Sequence, residues 1–301
     1  MTHRSVLLHE AINGLDIKKG DIFVDGTLGG GGHLEEAAKR FPKEKGNGVV
    51  MIAIDLDQHA ISRASARLEP LGVSVSYLNG NFRDMDKLLD SIGIGNVDKI
   101  LLDIGLSSNQ FEDSGRGFSF QRDEPLMMTF KENIGEGDLT AQEIVNTWDE
   151  ENIRTILDGY GEEKFAYKIA KAIVETRKTK PINTTFDLVE IIKSATPKFY
   201  HHKKIHPATK TFQALRITVN DEINNLKDGL KKGFERLNPS GRIAVISFHS
   251  IEDRIVKDFF REKEDAGLGK RMTKKPILPT DEEILENPRG RSAKLRIVQK
   301  I

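Results

Sequence analysis

The chain has 301 residues, 38% hydrophobic and 31% charged, the proportions of a folded globular protein. Lysine plus arginine and aspartate plus glutamate balance at 46 each, so any surface for a polyanion must be a local patch. There is no cysteine, which excludes disulfides, iron–sulfur clusters, cysteine zinc sites and every thiolate mechanism, including the usual route to cytosine carbon-5 methylation.

The opening residues carry no apolar core of signal-peptide length, and no run of 18 apolar residues occurs, so a cytoplasmic location without a membrane is expected. Residues 6–15 have apolar positions at helical spacing and predict a short leading helix that stops at Gly14 or soon after. Ile22-Phe23-Val24 predicts a buried strand ending in Asp25. It runs into Gly26-Thr27-Leu28-Gly29-Gly30-Gly31-Gly32-His33, with a helix over 34–41. Further strands are expected at 49–54, ending at Asp55, at 73–78 and at 97–104, alternating with helices at 58–68 and 85–92. Continuous apolar strands alternating with helices predict a doubly wound α/β fold with a mostly parallel sheet.

The rhythm then changes. Over 108–207 there is no comparable strand, while 142–146, 150–159, 162–177 and 185–195 read as helices. A long helical stretch over 208–237 and the turn Asn238-Pro239-Ser240-Gly241 lead to a strand at 242–248, and 294–299 forms a last one. The expected organisation is an α/β domain in two parts, 1–112 and 208–301, split by an all-helical recognition domain over 113–207.

An acid-ended strand, then glycines, then a helix, brings backbone N–H groups against a ligand with no side chains between. No Lys-Ser or Lys-Thr follows the glycines, against a phosphate-binding P-loop. A nicotinamide fingerprint begun at Gly29 would place its last glycine at Leu34. An acid four residues before Gly29 instead resembles the loop of class I (Rossmann-like) methyltransferases, where the acid can meet the cationic amino-acid part of S-adenosylmethionine. Asp55 stands where a carboxylate can accept both ribose hydroxyls, with Asp57 as the alternative. Phe82, in Asn81-Phe82-Arg83-Asp84, either stacks on adenine or belongs to the core. Asp103 ends the fourth strand, on the edge where open α/β sheets carry their sites.

Several further segments sharpen the reading: Leu102-Asp103 through Gln110, Arg116-Gly117-Phe118-Ser119-Phe120 and Tyr160 through Ala166. His206-Pro207-Ala208-Thr209-Lys210 through Arg216, Ser247-Phe248-His249-Ser250 through Lys257, and Asn287-Pro288-Arg289 through Arg296 complete the set. With Val6-Leu7-Leu8 and the glycine loop, they run almost end to end, and the chain resembles the bacterial 16S ribosomal RNA cytosine-N4 methyltransferase family. The resemblance implies S-adenosylmethionine as cofactor, contacted by Gly31, Gly32 and His33, with Asp55 on the ribose, Phe82 near adenine, and Asp103 and Gln110 completing the pocket. It implies as partner 16S ribosomal RNA, within the small subunit or its late precursor, and allows a homodimer. One stretch departs from the family pattern: an acid and an arginine are replaced by Met127 and Thr129, either as a salt bridge lost in one step or as a change at an RNA contact.

Methyl transfer to an amine is an in-line displacement, with cytosine N4 held about 3–3.5 Å from the methyl carbon. The N4 lone pair is delocalised into the ring, so an acceptor that pulls on an N4 hydrogen favours reaction. Asp103 or the backbone around Gly105 suits that role, and the alternative for Asp103 is to hold the methionine ammonium. Asp103-Ile104-Gly105-Leu106 lacks the Pro-Pro-aromatic sequence common in DNA amino-methyltransferases. His33 reads as a helix-start residue facing ligand, and His249 as either a substrate contact or a loop hydrogen bond. No metal-ligand spacing stands out. Three cationic stretches offer RNA surface: 198–210 with Phe199, Tyr200 and Phe212, then 270–275, then 289–296. The rival readings are a nicotinamide oxidoreductase, an RNA methyltransferase with an altered target, and a non-catalytic RNA-binding or assembly protein.

Overall fold

The computed structural model describes residues 5–41, 48–105, 115–131, 134–135, 137–202 and 205–301. The chain divides into two compact units: the residues up to Gly105 together with Ile223–Ile301, and Leu106–Glu222.

In the first unit the chain runs α1 (Leu8–Leu15), β1 (Ile22–Asp25), α2 (Gly32–Arg40), β2 (Val50–Asp55), α3 (Gln58–Leu68), β3 (Val75–Asn79), α4 (Met85–Ser91) and β4 (Val97–Asp103). The helical unit follows, with α5 (Ala141–Thr147), α6 (Glu150–Gly159), α7 (Ala166–Arg177), α8 (Thr185–Ala195), α9 (Lys198–His201) and α10 (Thr209–Asn220). The chain then returns through α11 (Glu222–Arg236), β5 (Leu237–Ser247), α12 (Ser250–Asp265), β6 (Gly269–Arg271), α13 (Asp281–Glu286) and β7 (Lys294–Lys300).

The seven strands form one sheet in the order β3-β2-β1-β4-β5-β7-β6. Pairing is parallel from β3 through β5 and antiparallel for β7 with β5 and for β6 with β7. The period-2 alternation of each strand separates two cores. Phe23, Met51, Ala53 and Leu101 pack with α1, α2 and α3, whereas Val24, Ile52, Ile54, Ile100 and Leu102 pack with α4, α11 and α12. Both faces being covered, the strands read as unbroken apolar runs.

Three expectations are revised. The turn at Asn238–Gly241 lies inside β5 as a bulge: Val97 pairs with Leu237 and Lys99 with Arg242, leaving Asp98 opposite residues 238–241. The Asp98 carboxylate there accepts from Ile22 N–H and Asn238 Nδ2, both at 2.8 Å. The long helical stretch breaks at Asp221, whose backbone is left-handed with φ 50. Phe212, Ala214 and Leu215 of α10 lie in the core of the helical unit, so that unit runs past 207 to Glu222. β6 was not anticipated, since a strand of 3 residues has no periodicity to detect.

The helical unit is organised by caps and one buried polar pair. Thr184 and Asp187 close a capping box at the start of α8. The Glu163 carboxylate accepts from Tyr200 Oη at 2.7 Å and Phe165 N–H at 2.9 Å, and burial together with Glu163 pushes the tyrosine hydroxyl far above its ordinary range. Thr129 is buried and its hydroxyl accepts from Lys131 N–H, so that half of the departure from the family pattern lies in the interior, while Met127 is half-buried. Among the described residues no helix is long and apolar enough to cross a membrane.

Candidate active site

The glycine loop leaves β1 at the carboxyl edge of the sheet, between β2 and β4, where the strand order reverses. Gly26 N–H donates to the Leu101 carbonyl at 2.9 Å and Leu28 N–H to that of Ile54 at 3.0 Å, carrying the ladder into the loop. Gly31 starts α2 with φ 74, and a Cβ there would meet Ala64 of α3 at 2.9 Å. Only glycine tolerates both the conformation and the close approach.

Asp55 is tied to this loop. One carboxylate oxygen accepts from Gly29 N–H at 2.7 Å and the other from Asp57 N–H at 2.9 Å. Asp57 is engaged elsewhere: it caps α3 by accepting from His59 N–H. Burial raises the Asp55 pKa in spite of backbone donors at Asp57, Gly29 and Leu56.

Asp103 ends β4, and its N–H donates to Thr27 Oγ1 at 2.6 Å. Thr27 thereby locks the strand-end acid against the loop, a role the sequence reading missed although the threonine sits among the glycines. The Asp103 side chain keeps 22% of its surface open, and burial of the rest pushes its carboxyl up to about 7, with the Glu252 charge adding to the effect. His33 Nδ1 lies 4.0 Å from Asp103 Oδ2, while Nε2 bonds the Val6 carbonyl at 3.1 Å.

Asp25 behaves otherwise than expected. It is 1% exposed, its carboxylate accepts from Thr27 N–H at 3.2 Å, and burial pushes it up to about 7, helped by Asp103 and Asp55. It therefore serves the interior of the loop, and Asp103 is the carboxylate with an open edge. Gly31, Gly32, His33, Asp55 and Asp103 share the loop and its flanking strand ends. Phe82 lies on the far side of β3 from them in sequence and packs its ring against Gly229 of α11, joining the core as a half-buried member. His249 caps α12: its Nδ1 accepts from Glu252 N–H, and Glu252 accepts from His249 N–H, closing a capping box. Gln110 and Ser107-Ser108-Asn109 lie outside the described residues.

The donor set suits S-adenosylmethionine. Asp55 and Asp103 offer acceptors for a diol and an ammonium. Over residues 1–301 the sequence matches the MraW methylase family.

The chain belongs to this family.

The chain is 44% identical over 314 aligned residues, covering 99% of this chain and 98% of the other, to the ribosomal RNA small subunit methyltransferase H of Lachnospira eligens. It is 42% identical over 315 residues, with the same coverage, to the protein of that name from Finegoldia magna. A solved rRNA methylase from Streptococcus thermophilus is 12% identical with a TM-score of 0.46, over 100% of this chain and 99% of that one.

The cationic stretches of the chain are only partly free to meet RNA. Tyr200 and Phe212 are buried, while Phe199 is 64% exposed and packs edge-on against Phe165. Arg271 is paired with Glu264, and Arg296 is buried against Asp253, which also holds Lys294. In the helical unit the exposed His206 ring stacks on Phe120 at 4.4 Å.

Proposed function

We propose that this protein transfers a methyl group from S-adenosylmethionine to the exocyclic N4 of a cytosine in 16S ribosomal RNA. The observation that carries the reading is the open carboxylate of Asp103, at the switch point of the sheet, in a chain that matches its family from residue 1 to 301. The named relatives act on small-subunit ribosomal RNA and supply the substrate class.

When bound, S-adenosylmethionine supplies a sulfonium methyl, and the N4–carbon bond forms as the carbon–sulfur pair returns to sulfur. Asp55 accepts the ribose hydroxyls through lone pairs left beside its bonds to Gly29 and Asp57. Gly32, in the first turn of α2, turns its backbone N–H toward the methionine carboxylate, while Gly31, whose own N–H is held by the Leu28 carbonyl, gives the loop its close approach to α3. Asp103, with a pKa near neutrality, meets the methionine ammonium on its open edge or accepts an N4 hydrogen and the proton that leaves. His33 faces Asp103, with Nδ1 4.0 Å from the carboxylate. Phe82, packed on Gly229, would lie near the adenine. The cytosine must leave its stack to reach this edge, and the helical unit, read as the recognition domain, binds the surrounding RNA. The substrate is the small subunit or its late precursor in the cytoplasm.

Labelled methyl transfer to small subunits lacking the modification, followed by nucleoside analysis, tests the reading. N4-methylcytidine is the expected product. RNA binding without transfer at saturating cofactor would instead establish the non-catalytic assembly role.

A further inference from the structure

The segment ahead of α1 is held on two sides. Leu7 is fully buried and takes a left-handed backbone, φ 51 and ψ 37. Its N–H donates to Glu283 Oε1 on α13 at 2.6 Å, across 276 positions of sequence. The neighbouring Val6 carbonyl, which can only accept, bonds His33 Nε2 at 3.1 Å, so the ring carries a proton on Nε2. That bond turns Nδ1 toward Asp103 Oδ2 at 4.0 Å. Ser5 packs directly onto Gly32, and Val6 stands against Gly290, where a Cβ would lie 3.1 Å from Val6 Cγ1.

Glu283 is diverted from the job its position suggests. Thr280 to Glu283 has capping-box spacing, and Thr280 Oγ1 accepts from Glu283 N–H at 3.2 Å. At α8 and α12 the third residue, Asp187 or Glu252, reaches back to its own cap. The Glu283 carboxylate reaches Leu7 instead.

We infer that Glu283 is a positioning residue for the active-site carboxylate: it holds Leu7 and Val6, the Val6 carbonyl sets the tautomer and orientation of His33, and His33 orients Asp103. The hydrogen bond made by one imidazole nitrogen decides what the other offers, and an outer partner of this kind governs a ring that faces a charged group. The inference rests on the assignment of Asp103 as the cofactor-facing acid.

Glu283→Ala, Glu283→Gln, Asp103→Asn and the Glu283→Ala/Asp103→Asn double variant of the full chain test it. The measurements are S-adenosylmethionine affinity by calorimetry, turnover at saturating cofactor, and the His33 titration by NMR of ring-labelled histidine, assigned with His33→Gln. Glu283→Ala should weaken cofactor binding about tenfold, the effect of losing one hydrogen bond to a charged group, and move the His33 titration. Glu283→Gln keeps an oxygen acceptor for Leu7 N–H and should match the wild type. In the double variant the loss should not exceed that of Asp103→Asn alone. A Glu283→Ala protein that melts lower yet keeps its affinity and His33 titration would overturn the inference, as would additive losses in the double variant. An Asp103→Asn protein unchanged in affinity and turnover would overturn the Asp103 assignment, and the relay with it.

Discussion

Lowering the pH should loosen cofactor binding through Asp103. The carboxyl stands at about 7 instead of its ordinary 3.8 because burial penalises its charged form and the Glu252 charge adds to the effect. An acid raised in this way binds more protons folded than unfolded between those two values, so its share of the stability of the free protein falls as pH rises from about 4 to 7. Binding has the opposite sign. An ammonium within about 4–6 Å of a carboxylate lowers its pKa by roughly 1–3 units, so the bound state favours the ionised acid and the proton must leave when the cofactor enters. Taking the acid from about 7 to about 6–4, affinity should fall roughly five- to fiftyfold between pH 7 and pH 5. The cofactor amine stays protonated over that range, since its own pKa is near 7.7–8.0. Calorimetry at half-unit steps reads the slope directly. Asp103→Asn should flatten it and weaken binding at pH 7 by about tenfold, whereas Asp25→Asn, which alters an interior acid, should keep it. S-adenosylhomocysteine carries the same ammonium and should show the same slope. A wild-type protein with flat affinity from pH 5 to 7, or a slope that survives in Asp103→Asn, would refute the reasoning.

Gly31→Ala combines a left-handed backbone with a 2.9 Å approach to Ala64, and urea unfolding should show a loss of about 1–3 kcal/mol; an unchanged midpoint would mean the loop adopts another conformation. Tyr200→Phe removes a buried donor from Glu163 and should cost about 1–3 kcal/mol, read as a lower Tm with cofactor affinity intact. Phe82→Leu keeps most of the volume packed on Gly229 and should change stability by less than about 1.5 kcal/mol, with S-adenosylmethionine affinity within roughly twofold. A larger loss of affinity would assign the ring face to adenine.

The strands and helices were legible where burial imposes a clear period. The runs ending at Asp25, Asp55 and Asp103 are apolar on both faces, and the sheet places all three acids on one edge. What the sequence concealed was how each acid is partnered. Nothing local distinguishes an interior Asp25 from an open Asp103, because the difference arises from the loop folding back over the first. Phe82 likewise depends on Gly229, far away in sequence, and His249 proved to be a helix cap because Glu252 lies three residues on. The end of the helical unit was misplaced because α10 and α11 have continuous helical periodicity, and the break at Asp221 leaves no glycine or proline to mark it.

The meeting of residues 5–7 with α13 also bears on how the protein is made. Leu7 emerges from the ribosome 276 residues before the glutamate that anchors it. At roughly 5–20 residues per second that is about 14–55 s, during which the apolar face of α1 lacks Ile297 and Leu295 of β7, with which it shares a core. The early strands can pair in that interval, but His33 has no settled carbonyl partner until the C-terminal segments arrive. Catalytic competence is therefore deferred until α13 and β7 have been made, and a chain that stops before them is expected to be inactive even with its whole glycine loop in place.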